Sequence, residues 1–166
     1  MSLSATTPSW RRPLDWANTR SFWLATALIC AALEAGALFY QYVLGDPPCE
    51  ICIYIRVWLF ALLMLSLLAL PLRRWRFTRL LSAVAGLLLA VGLAHETWIM
   101  VQIEYNIGSG GSCGFFANFP AWAPLDKWLP FLFEVQGLCM ATPKVLFGLT
   151  MVHGLIAVSA VFIIAF

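Results

Sequence analysis

Charge is what this sequence has least of: of its 166 residues only 11% are charged, against 62% hydrophobic. A soluble domain of this size carries about a quarter charged residues to cover its surface, so a free-standing soluble globule is excluded. Histidine is scarce, with two in the chain, and the five cysteines include one close pair, Cys49 and Cys52, with no second close pair. Tetrahedral zinc sites commonly use two close pairs, and Cys113 and Cys139 lie far apart in sequence, so no metal is expected. The net charge is +2 and the basic residues sit beside apolar runs, which argues against nucleic-acid binding. No convincing cleavage site interrupts the first apolar run as it passes Glu34 and Tyr40, so that run is expected to stay attached.

What the chain does have is long hydrophobic runs. A hydrocarbon core roughly 30 Å thick needs about 20 apolar residues per helical crossing. Residues 21–44, 51–70, 80–101 and 145–166 each meet that length. They predict an all-α membrane protein, a single domain over residues 1–166 built as a four-helix transmembrane bundle. Residues 102–144 form a connection of about forty residues, long enough to suggest function. Arg11, Arg12 and Arg20 flank the first run, and Arg73, Arg74, Arg76 and Arg79 lie between the second and third. By the positive-inside rule these segments, and with four crossings both termini, are cytoplasmic. The other connections carry Asp46, Glu50, Glu104, Asp126 and Glu134 against Lys127 and Lys144, and should face outward. Four cysteines then share the outer face, where a periplasm permits disulfides. Cys30, inside the first run, reads as a small apolar residue.

The run Pro47-Pro48-Cys49-Glu50-Ile51-Cys52-Ile53-Tyr54-Ile55-Arg56 passes from a turn into an apolar helix, because proline suits a first helical turn and cannot continue an earlier one. Cys49 and Cys52 therefore belong at a helix N-terminus, where unpaired N–H groups and the positive end of the helix dipole favour thiolate and make sulfur a better leaving group. Helical spacing puts Cys49, Cys52, Arg56 and Phe60 within one sector. A guanidinium one turn inside a membrane is costly without a partner. It can hydrogen-bond a quinone carbonyl, or it can snorkel or pair with Glu34.

Cys113 follows Gly108-Ser109-Gly110-Gly111-Ser112, and Gly137 precedes Cys139. Such surroundings suit a disulfide that moves to meet an incoming thiolate, although a structural staple fits the same spacing. The aromatic, proline-broken segment between them, from Phe115 to Pro130, predicts an interfacial stretch with a short helix. Glu34, His95 and Glu96 are candidates for proton handling, and His95, Trp98 and Gln102 recur at helical spacing near the cysteine level. His95 and Gln102 are thus candidate cofactor-binding residues, whereas His153 reads as structural and deep in the fourth run.

These residues resemble the disulfide bond formation protein B (DsbB) family over nearly the whole chain. The resemblance rests on Cys49-Glu50-Ile51-Cys52-Ile53-Tyr54-Ile55-Arg56, on Phe119-Pro120-Ala121-Trp122-Ala123-Pro124-Leu125-Asp126-Lys127-Trp128, and on Gly137-Leu138-Cys139 placed after Cys113. It implies a bacterial inner-membrane protein that reoxidises a periplasmic dithiol oxidase of the DsbA type, with ubiquinone or menaquinone as electron acceptor. It also implies that Cys113 and Cys139 exchange with the oxidase, that Cys49 and Cys52 form the pair beside the quinone, with Cys52 contacting the ring, and that Arg56 is the quinone-site arginine. Two other readings stand beside it: a quinone-linked enzyme like vitamin K epoxide reductase, and a non-enzymatic membrane scaffold stapled by disulfides.

Overall fold

A computed structural model describes residues 19–72, 75–107, 114, 116–137, 144–146 and 149–166. Helix α1 covers Arg20–Tyr42, α2 Glu50–Leu72 and α3 Arg76–Glu104. Two single turns follow, α4 over Leu125–Trp128 and α5 over Pro130–Phe133. A two-stranded hairpin, β1 Lys144–Leu146 and β2 Leu149–Thr150, leads into α6 over Met151–Ala165. The strands are antiparallel, with Lys144 opposite Thr150 and Leu146 opposite Leu149.

Helices α1, α2 and α3 are long and apolar enough to cross a membrane. The 23 residues of α2 rise about 34 Å at 1.5 Å per residue, slightly more than the hydrocarbon core. Helix α6 has 15 residues, or about 22 Å, and is shorter than the run 145–166 predicts. The difference lies at its start, where β-branched Val145 and Thr150 favour extended backbone. At the start of α1, the Thr19 hydroxyl caps the helix by accepting from the Phe22 N–H at 3.3 Å.

Helix α1 packs on α2, α2 on α3, and α3 on α6. The ring of Phe166 closes the circuit, meeting Phe22 at 5.2 Å and Trp23 at 5.6 Å. The core between α2, α3 and α6 is made of Leu59, Leu62, Ala90, Leu93, Leu155 and Phe162. A Cβ on Gly92 would stand 2.6 Å from the Trp58 ring, so glycine is what lets α3 approach α2 there. Interior hydroxyls are satisfied locally: Thr26, Ser66 and Thr97 donate to the carbonyls of Phe22, Leu62 and Leu93, one turn back, at 3.0, 2.7 and 2.8 Å. Leu28, Leu68, Leu88 and Ile164 point outward, the apolar exterior that suits lipid rather than water. Cys30 is a free thiol, fully buried in the core.

The connection after α3 is not draped over the bundle by its exposed rings alone. Pro130 brings no N–H, and two separate turns stand where the sequence predicts one short helix. Leu132 and Phe133 of α5 are buried with Ile53 against Leu38, Val57 and Phe60. Phe116, Trp122 and Trp128 remain exposed.

Candidate functional site

The site is built on the first turn of α2. Cys49 immediately precedes the helix, Glu50 opens it, and the i, i+3 spacing brings Cys52 over Cys49. The two are joined as a disulfide with a Cα separation of 5.1 Å, within the range such a bond requires. The backbone of this turn is already helical: the Ile53 N–H donates to the Cys49 carbonyl at 3.1 Å, and the Cys52 N–H donates to the Cys49 sulfur at 3.3 Å. A thiolate formed at Cys49 on reduction is therefore stabilised by an N–H and by the end of the helix dipole. Cys49 is buried and Cys52 half-buried, both against the core cluster that includes Met100, Val101 and Met151. The pair thus lies at one end of the bundle, where α2, α3 and α6 meet.

One turn further along α2, Arg56 is buried with its guanidinium turned to α1 and the long connection. Its Nη1 donates to Gln41 Oε1 at 2.6 Å and to the Leu132 carbonyl at 3.2 Å, and its Nη2 donates to the Ala37 carbonyl at 3.1 Å. Gln41 is held in turn, its Nε2 donating to Gln136 Oε1 at 3.2 Å. The arginine is paid for by neutral oxygens rather than by Glu34, which forms no ion pair with it within 4 Å among the described residues. Glu34 lies deeper on the same face of α1 as Ala37 and Gln41, buried, with neither carboxylate oxygen hydrogen-bonded among the described residues. Phe60 belongs to a different neighbourhood from the sulfurs, with its ring edge-on to Phe133 at 5.9 Å.

The long connection reaches the cysteine turn from two sides. The Gln136 and Gly137 N–H groups both donate to the Pro48 carbonyl at 3.0 Å, one residue before Cys49 and, in sequence, two before Cys139. A Cβ on Gly137 would stand 2.5 Å from the Pro47 carbonyl oxygen, so the approach requires glycine. On the other side the Gly114 N–H, next in sequence to Cys113, donates to Glu50 Oε2. Tyr54 donates its hydroxyl proton to Glu50 Oε1 at 3.1 Å and accepts from the Asn118 N–H at 2.8 Å. Tyr42 donates to the Phe131 carbonyl at 2.8 Å, tying α5 to α1.

Cys113 and Cys139 themselves lie outside the described residues. His95 and Gln102 do not join Arg56. The His95 side chain is 68% exposed on α3, with Nδ1 3.7 Å from Glu96 Oε1, and Gln102 is half-buried near the end of that helix. His153 is not deep in a helix: with α6 starting at Met151 it occupies the first turn, exposed, between Tyr105 Oη at 3.1 Å and Thr150 Oγ1 at 2.9 Å. Sequence reasoning missed Gln41, Glu50 and Tyr54 as site residues. The i, i+4 spacing of Glu50 and Tyr54 was visible, but their partners are backbone N–H groups, which sequence does not mark.

Comparison with known proteins bears on this geometry. The family model for the disulfide bond formation protein DsbB matches residues 19–166. Among curated relatives, a Disulfide bond formation protein B of a Shewanella species is 31% identical over 150 residues, covering 90% of this chain and 86% of the relative. Disulfide bond formation protein B 2 of Pseudomonas aeruginosa is 35% identical over 141 residues, 84% of this chain and 82% of its own. A Haemophilus influenzae Disulfide bond formation protein B is 30% identical over 150 residues, 90% and 85% of the two chains. With a disulfide on the first turn of an apolar helix and a family model spanning all of the bundle, the chain belongs to the DsbB family of disulfide bond formation proteins.

Proposed function

We propose that this protein is a membrane thiol-disulfide oxidoreductase that reoxidises a periplasmic DsbA-type dithiol oxidase and passes the electrons to a quinone. The observation that carries the reading is the Cys49–Cys52 disulfide at the head of a membrane-length helix, with the flanks of the loop cysteines docked on it. One membrane domain with four crossings completes it, α6 being the fourth. An even number of crossings leaves both termini on the arginine-rich, cytoplasmic side and the cysteine turn and loop on the periplasmic side of a bacterial inner membrane.

The oxidase thiolate attacks the Cys113–Cys139 disulfide, and the mixed disulfide is resolved within the oxidase, leaving the loop pair reduced. That pair then reduces Cys49–Cys52 by the same exchange. The N–H groups of the first turn of α2 stabilise the departing thiolate and so favour the inward transfer.

The residues present fit a quinone. Two of the five Arg56 N–H donors are left over from its three described acceptors, and the nearby Glu34 carboxylate is buried with both oxygens unpaired among the described residues. A group with two carbonyl oxygens that become hydroxyls suits such a set. Arg56 and Cys52 would hold it; a bound quinone supplies a two-electron, two-proton acceptor. His95 and Gln102 remain candidate quinone-binding residues on α3, and His95, with Glu96 beside it, remains a candidate for the protons.

The test uses the protein in native membranes with reduced DsbA-type oxidase and ubiquinone, or menaquinone, and follows quinol absorbance. Wild type should form quinol, and Cys49→Ala or Cys52→Ala should abolish it. Turnover persisting in either variant would sink the reading. Thiol trapping with quinone withdrawn gives a second check, because a disulfide that only staples α2 stays oxidised whereas a catalytic pair accumulates as thiols.

A further inference from the structure

We infer that Glu50 and Tyr54 are positioning residues that latch the outer loop onto the first turn of α2, aligning it for disulfide exchange with Cys49–Cys52. This rests on the reading above, in which the loop pair reduces the helix pair. Glu50 stands between the two cysteines, and both of its oxygens are committed: Oε1 accepts from Tyr54 and Oε2 from the Gly114 N–H. Tyr54, one turn on, accepts from the Asn118 N–H and sets its ring edge-on to Phe119, 6.0 Å between centroids. Two side chains of α2, one on the reacting turn and one on the next, thereby hold Gly114 and Asn118. Gly114 is the residue bonded to Cys113. Pro48 holds the other flank through Gln136 and Gly137.

Geometry explains why such a latch matters. Exchange requires the attacking sulfur to lie in line with the disulfide it attacks, and fixing two reactants in one orientation raises the rate far more than bringing them into the same volume. One loop thiolate attacks a sulfur of Cys49–Cys52; a new S–S bond forms as the old one breaks, releasing a helix thiolate. The second loop thiolate then attacks the loop sulfur of that mixed disulfide and frees the other helix sulfur. Two electrons pass from the loop pair to the helix pair, and the two protons lost by the loop thiols are matched by two gained at the helix thiols. A carboxylate accepting a backbone N–H is among the stronger hydrogen bonds available for holding a flexible loop.

A charge role for Glu50, as a base for the thiols, makes a different prediction from a latch. In Glu50→Gln the amide oxygen still accepts from Gly114 and the amide N–H donates to the Tyr54 oxygen, so the latch survives while the charge is lost. Full-length protein in membranes, with quinone withheld, is mixed with one equivalent of reduced DsbA-type oxidase and quenched at intervals with acid. Alkylation and mass analysis then report the loop pair and the helix pair separately. In Glu50→Ala and Tyr54→Phe the loop pair should be reduced at the wild-type rate and the helix pair about tenfold or more slowly, with Glu50→Gln within about threefold of wild type. Tyr54→Phe keeps the ring and carries the test if Glu50→Ala fails to fold. Helix-pair reduction at the wild-type rate in Tyr54→Phe overturns the latch, as does Glu50→Gln as slow as Glu50→Ala. A wild-type protein whose loop pair is reduced but never passes electrons to Cys49–Cys52 overturns the exchange reading itself.

Discussion

Arg56 binds three oxygens from two distant stretches of chain, α1 and the turn α5, and so acts as a fastener as well as a donor. A lysine in its place presents one nitrogen and cannot fork to all three. Arg56→Lys should cost about 1.5–3 kcal/mol, the worth of a hydrogen bond to a charged group, read as a lower melting temperature in detergent. The KM for quinone should rise at the same time, with kcat for the oxidase half-reaction unchanged. That Arg56 matters was legible in the sequence, because an intramembrane cation demands a partner. The partner was not. Glu34 looked apt by charge, yet Gln41 lies seven residues further along α1, about 10 Å nearer the cysteine turn, and a neutral amide at the right height outranks a carboxylate at the wrong one.

At the scale of elements, the long helices follow from hydropathy alone, and the residues opening α2 follow from Pro47 and Pro48. The connection after α3 was harder to read. Its aromatics and prolines predict an interfacial stretch, but burial of one turn at Leu132 and Phe133 leaves no periodic trace in so short a span. Phe133 is 1% exposed, so Phe133→Ala removes a complete packing partner of Ile53 and Phe60. The expected loss is about 3–5 kcal/mol. It should appear as a lower melting temperature together with faster proteolysis within 114–137, while α1 to α3 stay protected. Proteolysis unchanged from wild type would show that α5 does not anchor the connection. The hairpin before α6 was invisible for a related reason: an apolar run of six residues reads equally as helix or strand.

For the whole molecule, the charge asymmetry makes the topology testable without touching a cysteine. Alkaline phosphatase fused after Phe166 should be inactive and a fluorescent protein at the same place bright, whereas alkaline phosphatase inserted at Trp122, an exposed residue of the connection, should be active. The reverse pattern would remove the periplasmic setting on which the proposed chemistry depends. A wider consequence lies in the placement of the disulfide within a single helical turn. The bond joins two residues that the backbone of α2 already holds together, through the bond from the Ile53 N–H to the Cys49 carbonyl, so opening it frees no helix from another. The bundle has no mechanical stake in the oxidation state of this pair. On the proposed function, this pair can take up electrons and pass them on while the helix that carries it keeps its packing against its neighbours.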